Sequence, residues 1–180
     1  MLRKIRNVFK RIHIACMNEA QYINHLRQSG VKIGEGCSIA KSVFFGGEPF
    51  LIKIGDNVRL TRGVQFITHD GGLWTLRHMG AIKKSAVKYG NISIGNNCNI
   101  SWNVTIMPNV HIGNNCVIAA GAVVTHNVPD GEIWGGVPAR KIESVEEYLE
   151  KVKTKTVNTF NMPEKEKKEF LEANLPELFI

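Results

Sequence analysis

The stretch after His69 concentrates side chains that would suit a binding site for a polar ligand. His69 itself stands in the run Phe66-Ile67-Thr68-His69-Asp70-Gly71-Gly72. The residues from Asp70 to Asn91 then supply aromatic and basic groups, namely Trp74, Arg77, His78, Lys83, Lys84, Lys88 and Tyr89. An imidazole changes charge near neutral pH, so histidine is the usual side chain for moving a proton. The alternative is a loop that makes a subunit contact or moves as a flap without a ligand.

The cysteines do not form a recognisable metal motif. The chain has six histidines and four cysteines but no C-x-x-C pair, so a structural zinc site is not expected. We expect Cys98 and Cys116 to be small, reduced residues of the core, which is where free cysteine usually lies.

An aliphatic residue recurs at every sixth position in the second half of the chain. The series is Ile94, Ile100, Ile106, Ile112, Ile118 and Val124. A period of six fits neither an amphipathic helix nor an alternating strand. The segment Ile94-Gly-Asn-Asn-Cys98 also returns three hexapeptides later as Ile112-Gly-Asn-Asn-Cys116. The pattern predicts a three-sided prism with three hexapeptides per coil, which is a parallel β-helix.

The same repeat begins near Gly30 and is interrupted twice. The interval from Ile33 to Ile54 exceeds one coil by three residues, and we place the extra residues at Gly46-Gly47-Glu48. The interval from Ile54 to Ile94 exceeds one coil by about 22 residues, which must leave the prism because the repeat resumes in phase. We therefore predict a repeat domain over residues 30–142 with a protruding loop at 70–91. Long loops in compact folds are usually functional or disordered.

Helical segments are predicted on both sides of the repeat. Residues 1–29 combine apolar residues at helical spacing (Leu2, Ile5, Val8, Phe9, Ile12) with basic ones (Arg3, Lys4, Arg6, Lys10, Arg11). This basic amphipathic helix, expected to run to about residue 28, either rests on an anionic membrane or caps the open end of the prism. The two roles are compatible. The sequence of residues 143–180 predicts two helices. The first follows an N-cap at Ser144 and ends at about Val152, and the second runs from Glu164 to Ala173.

Composition fits one main domain that binds an anionic partner. The chain has 180 residues, 43% of them hydrophobic, and a formal net charge of +7. Charge alone leaves nucleic acid, phosphorylated cofactors and anionic membranes open. No apolar run suits a transmembrane helix and no signal peptide is recognisable. We expect a cytoplasmic protein, with peripheral contact at the inner face of the membrane if the N-terminal segment binds lipid.

Three features together resemble the hexapeptide-repeat O-acetyltransferases. They are the six-residue repeats, an insertion that opens with a histidine, and the closing run Gly135-Gly136-Val137-Pro138-Ala139-Arg140. The resemblance covers about Val31 to Ile142 and is closest to the polysaccharide (capsule and O-antigen) branch, near the maltose and galactoside acetyltransferase group. It implies a left-handed parallel β-helix, acetyl-CoA as acyl donor, a saccharide acceptor that is free or lipid-linked, and a homotrimer with sites between subunits. Nucleic acid and metal are not expected.

The resemblance also implies roles for particular residues. His69 corresponds to the family's general base, and the backbone N–H of Trp102 to its oxyanion donor, although small residues are more usual there. The pantetheine arm of coenzyme A would lie near Ala120 and Thr125. Arg140, with Lys141 beside it, would pair with the nucleotide phosphates. Asp70, Trp74 and Arg77 are the residues expected to contact the acceptor, and Asp70 could instead orient His69.

Other functions remain open at this point. The repeats do not distinguish a hydroxyl acceptor from an amine, so an amino-sugar, antibiotic or serine acetyltransferase is the main alternative. A non-enzymatic β-helix scaffold would keep the repeats without a histidine-headed loop. A γ-class carbonic anhydrase needs three histidines around zinc. Here the candidates within the repeats, His111 and His126, are not close in sequence, and neither has a histidine near it.

Overall fold

The computed structural model describes residues 12–179, and its main part is a coil of short strands arranged in three sheets. The strands are β1 (Lys32–Ile33), β2 (Ser38–Ile39), β3 (Ile52–Ile54), β4 (Arg59–Leu60), β5 (Gln65–Phe66), β6 (Ile92–Ile94), β7 (Asn99–Ile100), β8 (Thr105–Ile106), β9 (His111–Ile112), β10 (Val117–Ile118), β11 (Val123–Val124), β12 (Glu132–Gly136) and β13 (Ala139–Ser144). Their order is β1-β3-β6-β9 in the sheet here named face A, β13-β12-β10-β7-β4-β2 in face B, and β11-β8-β5 in face C. Neighbouring strands are parallel except β12 and β13.

The predicted stacking of one coil on the next is confirmed by the strand register. Ile94 pairs with Ile112 on face A and Ile100 with Ile118 on face B, so each residue lies beside its equivalent three hexapeptides later. These side chains point inward and are almost completely buried. Cys98 and Cys116 are free and buried in the same core, as expected. The core is therefore a column of aliphatic residues, and alternate residues of each strand face outward.

Asparagine shapes the corners between faces A and B. Asn57, Asn97 and Asn115 adopt positive φ angles of 54–56°, which L-residues other than asparagine and aspartate rarely tolerate. Their side chains also bond from coil to coil. Asn57 Nδ2 donates to Asn97 Oδ1 at 3.2 Å, and Asn97 Nδ2 donates to Asn115 Oδ1 at 3.1 Å. The turn residue thus also links neighbouring coils.

The repeat continues beyond Val128 into β12. Val128 bridges to Ile112, and Ile118 pairs with Trp134 of β12, so the last coil closes although it is two residues shorter than a full one. Asp130 takes the place of an asparagine, because its Oδ1 accepts from the backbone N–H of Asn114 at 2.8 Å. The chain then reverses into β13.

The predicted N-terminal helix is interrupted within its described part. Residues 12–16 are helical, and a new helix, α1 (Glu19–Gln28), starts after a capping box between Asn18 and Gln21. The prediction of one continuous helix is therefore wrong. Helix α1 buries Tyr22 and Leu26 in the core of the prism. Ile12 is 54% exposed, and the rest of the predicted apolar stripe lies outside the described residues.

Two insertions leave the prism where the chain passes from face C to face A. The shorter one passes through Gly46 and a 3₁₀ turn, Pro49–Leu51. A Cβ at Gly46, where φ is +67°, would lie 2.6 Å from Thr68 Oγ1 and 2.9 Å from Phe66 O, so only glycine allows this close approach. The longer excursion lies between β5 and β6 and contains helix α2 (Leu73–His78). An antiparallel bridge between His69 and Tyr89 closes its base.

The described chain divides into two compact units between Glu146 and Glu147. Helix α3 (Val145–Val152) spans that boundary, and α4 (Glu164–Asn174) with a 3₁₀ turn, Pro176–Leu178, follows. None of the helices within residues 12–179 combines the length and the apolar character needed to cross a bilayer.

Candidate active site

His69 lies where the chain leaves face C towards face A, and its side chain is held by Glu48. Oε2 of Glu48 lies 3.0 Å from Nδ1 of His69 and accepts a hydrogen bond of 2.5 Å from Thr68 Oγ1. Those two hydrogen bonds, the one from Thr68 first, lower the pKa of the Glu48 carboxyl below its ordinary value. An ionised carboxylate can only accept, so Nδ1 of His69 carries the proton. The lone pair of Nε2 is then available to act as a base.

The solvent exposure of the His69 side chain is consistent with a role as a base. The His69 side chain is 47% exposed, while that of Glu48 is only 19% exposed. Within residues 12–179, Nε2 of His69 makes no hydrogen bond. The carboxylate thus holds the Nδ1 edge of the ring, and the side chain of His69 remains about half exposed.

Glu48 is the functional residue that the sequence analysis missed. The break in the repeat predicted the position of three extra residues, Gly46-Gly47-Glu48, but no role for them. A signal was present, because Glu48 precedes His69 by the same interval that separates Ile33 from Ile54. An acidic residue that precedes a histidine by one such lengthened coil lies next to it in the prism, on the adjacent coil.

Asp70 does not orient His69. Its Oδ1 instead accepts a 2.8 Å hydrogen bond from the backbone N–H of Gly72, which shapes the turn into α2. Adjacent side chains on an extended chain point to opposite sides. Asp70 is nevertheless close enough to the imidazole to line the same cavities.

Two cavities meet at His69. One, of about 310 Å³, lies under the protruding loop and is lined by Glu48, His69, Asp70, Gly71, Trp74, Arg77, Val87 and Tyr89. The other, of about 330 Å³, runs along the corner of faces C and A, and its lining includes His69, Lys88, Tyr89, Met107, Asn109 and Thr125. His69 and Tyr89 belong to both. One base shared by two cavities suits a reaction in which two substrates meet.

The protruding loop presents an aromatic and basic surface. Trp74 is 66% exposed and its ring lies 4.3 Å from that of His78, centroid to centroid. Arg77 Nε donates to the carbonyl of Ala86 at 2.7 Å, which ties α2 to the returning chain. Lys83, Lys84 and Lys88 are exposed. Trp74 and Arg77 therefore line the same cavity as His69, and their contact with an acceptor stays a prediction.

Trp102 and Ala120 lie on a different edge of the prism from His69. They occupy the corner between faces B and C, where the Gly121 N–H donates to Trp102 O at 2.8 Å. Thr125 follows β11 and joins the His69 cavity. Face C thus separates Trp102 from His69 within one chain, so the role predicted for the Trp102 N–H stays a prediction that depends on a site between subunits. In residues 12–179, the backbone N–H groups of Trp102 and Ala120 have no acceptor.

The predicted phosphate partners have different surroundings. Arg140, on β13, is exposed, and its Nη1 donates to the carbonyl of Ala139 at 2.8 Å. The Lys141 ammonium lies 2.8 Å from Glu132 Oε1, and this contact, followed by the hydrogen bond from Trp134, lowers the pKa of Glu132. Lys141 is therefore engaged in an ion pair within the chain. Among residues 12–179, no three histidine, cysteine, aspartate or glutamate side chains form a cluster that could hold a metal ion.

Comparison with known proteins gives a consistent set of relatives. The family model described as "Bacterial transferase hexapeptide (six repeats)" matches residues 91–126. Protein CapG of Staphylococcus aureus is 43% identical over 167 residues, which cover 90% of this chain and 94% of that protein.

Solved structures share the fold. A maltose O-acetyltransferase from Clostridium difficile 630 superposes with a TM-score of 0.58 at 25% identity, over 79% of this chain and 85% of that one. A hexapeptide-repeat-containing acetyltransferase from Vibrio cholerae, complexed with acetyl coenzyme A, gives 0.58 at 24% identity, over 74% and 81% of the two chains.

Proposed function

This chain belongs to the bacterial hexapeptide-repeat transferases, and from that membership we propose that it is an acetyl-CoA-dependent O-acetyltransferase for a saccharide hydroxyl. The observation that carries the proposal is the Glu48–His69 pair at the junction of two cavities. The structurally similar Vibrio cholerae acetyltransferase forms a complex with acetyl coenzyme A, which supports the same donor here. The same membership implies that the three faces wind as a left-handed β-helix.

The residues present are sufficient for direct acyl transfer. His69 Nε2 accepts the proton of the acceptor hydroxyl while the oxygen attacks the thioester carbonyl carbon. The C–S bond then breaks, and the coenzyme A sulfur departs with the proton held by the imidazolium. The products are an acetyl ester and free coenzyme A, and His69 is neutral again. The Glu48 carboxylate holds the ring and stabilises its charged form, as the carboxylate of a catalytic triad does.

A homotrimer would complete the site. The outward residues of face C are uncharged, namely Phe44, Gln65, Thr105 and Val123, and Phe44 is 54% exposed. Packing around face C in a closed threefold ring would bring the Trp102 edge of one subunit to the His69 edge of the next. The unpaired N–H groups of Trp102 and Ala120 would then face the neighbour's substrate cavity. This arrangement accounts for their separation within one chain.

The donor would lie along the edges that bear Ala120 and Thr125. Small side chains at Ala119 and Ala120, which are half-buried and exposed, leave room for a thin pantetheine arm. Arg140 is the residue we assign to the coenzyme A phosphates, because it is exposed and presents a planar fork of donors. Lys141 would attract the phosphates less strongly, because the Glu132 carboxylate offsets part of its charge.

The acceptor is proposed to be a saccharide for a surface polysaccharide. Trp74 and Tyr89 expose flat rings beside His69, and such rings stack on the apolar side of a sugar. The similar Clostridium difficile enzyme is a maltose O-acetyltransferase. We place the reaction on the cytoplasmic side of the membrane. Contact with the membrane itself would be made by residues 1–11, which lie outside the described part of the chain.

Release of coenzyme A from acetyl-CoA tests the proposal across neutral sugars, nucleotide sugars, lipid-linked oligosaccharides, amino sugars and serine. His69→Ala should lower turnover by at least about a hundredfold, the lower range for loss of a general base. His13→Ala, an exposed histidine outside both cavities, is the matched control. A His69→Ala protein with near wild-type turnover would overturn the assignment, and turnover on amines alone would make the enzyme an N-acetyltransferase.

A further inference from the structure

A second groove, away from His69, is lined by unpaired arginines. It has a volume of about 460 Å³ and lies on face B between α1 and the edge that bears Trp102. Arg59 projects outward from β4, where its register neighbours are Ser38 and Asn99. Arg62 follows at the corner. Within residues 12–179, neither guanidinium makes a hydrogen bond or an ion pair, and both residues are exposed.

Two further charges lie in the groove and have different surroundings. Lys41 Nζ donates to the carbonyls of Ala15 and Met17 at 2.6 Å each, so this ammonium holds the end of the short helical turn at 12–16. Glu19, in the first turn of α1, is exposed and supplies the groove's carboxylate. Three cations against one carboxylate leave the groove positive. The two guanidiniums are the groups that remain available to a ligand.

Trp102 provides an apolar wall for the same groove. Its side chain is 58% exposed, although indoles are usually buried over most of their surface. The backbone places it one coil from Arg62, because the N–H of Asn103 donates to Arg62 O at 3.0 Å. Nothing in the packing of the prism requires an indole at this corner. An exposed indole beside two free guanidiniums suits a ligand that has both an apolar face and an anionic group.

We propose that this groove binds an anionic group on the saccharide acceptor, either a uronate carboxylate or a sugar phosphate. A guanidinium fork pairs with carboxylate or phosphate oxygens through two parallel hydrogen bonds. The indole covers the apolar face of the sugar ring. This inference rests on the proposed function, because it takes the saccharide bound in the groove to be the acceptor of the acetyl group. In the proposed trimer, the Trp102 edge of one subunit lies against the His69 edge of its neighbour, so the groove would hold the charged part of the sugar.

Direct binding separates this inference from the catalytic one. Calorimetric titration of His69→Ala protein without acetyl-CoA, so that no acetyl transfer takes place, would use glucose, glucuronate, glucose 1-phosphate and uridine diphosphate glucose. We expect the sugars of at least one anionic class to bind about tenfold or more tightly than glucose, as charge-assisted pairs do. The arms with glucuronate and glucose 1-phosphate distinguish a carboxylate from a phosphate.

Substitution then locates the binding. Arg59→Gln combined with Arg62→Gln should weaken the anionic sugar by about ten- to a hundredfold. Lys53→Gln, which removes an outward cation from face A, should change it less than about twofold. Arg62→Lys keeps the charge without the fork and serves as a second variant if the double substitution impairs folding; it should also bind more weakly than the parent.

Several results would overturn the inference. The first is equal affinity of the His69→Ala protein for glucose and for both anionic classes of sugar. The second is an unchanged affinity for the anionic sugar in a folded Arg59→Gln, Arg62→Gln variant. The third is a double variant that loses affinity for coenzyme A and keeps its affinity for the sugar. The proposed function has a separate failure, because the absence of acetyl transfer to any saccharide by the wild-type enzyme would leave these binding ratios intact.

Discussion

Replacing Glu48 by glutamine removes one negative charge from beside the His69 imidazole while keeping the length of the side chain. Glutamine can still accept from Nδ1–H through its carbonyl oxygen, so the ring keeps its position. What is lost is the charge that favours the imidazolium formed during acyl transfer. Glu48→Ala removes the hydrogen bond as well and leaves the ring free to turn.

The exposure of the pair sets the expected size of the effect. A fully buried carboxylate that holds a catalytic histidine is worth about 10⁴-fold in rate. Here the imidazole is 47% exposed and the carboxylate 19% exposed, so water screens the charge and partly replaces the lost contact. We therefore expect Glu48→Gln to lower kcat by about tenfold, which is less than the loss of a general base, and Glu48→Ala by about a hundredfold, at the lower end of that range. KM should change less than kcat.

The pH dependence gives a second readout. The hydrogen bonds from Thr68 and His69 lower the pKa of Glu48 in the folded protein, so the carboxylate is ionised throughout the neutral range. Its contribution to stability is present above the unfolded pKa and is lost only as the pH falls through the lower folded value. The acid limb of kcat/KM in the neutral range therefore does not report Glu48 itself. In Glu48→Gln the fall in kcat should persist throughout the neutral range, because the carboxylate that glutamine replaces is ionised throughout it.

Coenzyme A release measured from about pH 5 to about pH 9, which spans the titration of histidine, tests both effects. Glu35→Gln is the matched control, since Glu35 forms an exposed ion pair with Arg27 far along the chain from the loop. An unchanged kcat across this pH range in a folded Glu48→Gln protein would refute the role of the pair. A fall in thermal stability without any change in rate would show a purely structural contact.

Two further predictions concern the prism and its assembly. Asn97→Ala should lower the free energy of unfolding by about 1–3 kcal/mol, because it loses two inter-coil side-chain hydrogen bonds and places an alanine at φ 56°. Urea unfolding that finds the alanine variant as stable as the parent would contradict this. Asn97→Gly should recover the part of the loss that comes from backbone strain. Light scattering should give a mass of about 60 kDa, three times the 20.1 kDa chain. A monomer with full activity would contradict the intersubunit site.

The six-residue period is a local property, and the features that depend on it could be read from the residues alone. Alternation of inward and outward positions determines which side chains are buried, so the Ile94 to Val124 series predicted the core and the stacking of its coils. The two breaks in phase located the insertions. The histidine at the head of the longer one led to the family and to a base at His69.

Contacts between coils depend on how each insertion runs through space, and a period carries no information about that path. The Glu48–His69 hydrogen bond exists because Gly46 lets the short insertion approach Thr68 closely. The separation of Trp102 from His69 follows from which corner each residue turns. The last coil loses two residues and still closes, because Asp130 makes the backbone contact that an asparagine makes elsewhere. These distances are set by packing of the whole chain, since burial and hydrogen bonding, unlike spacing, are satisfied only in three dimensions.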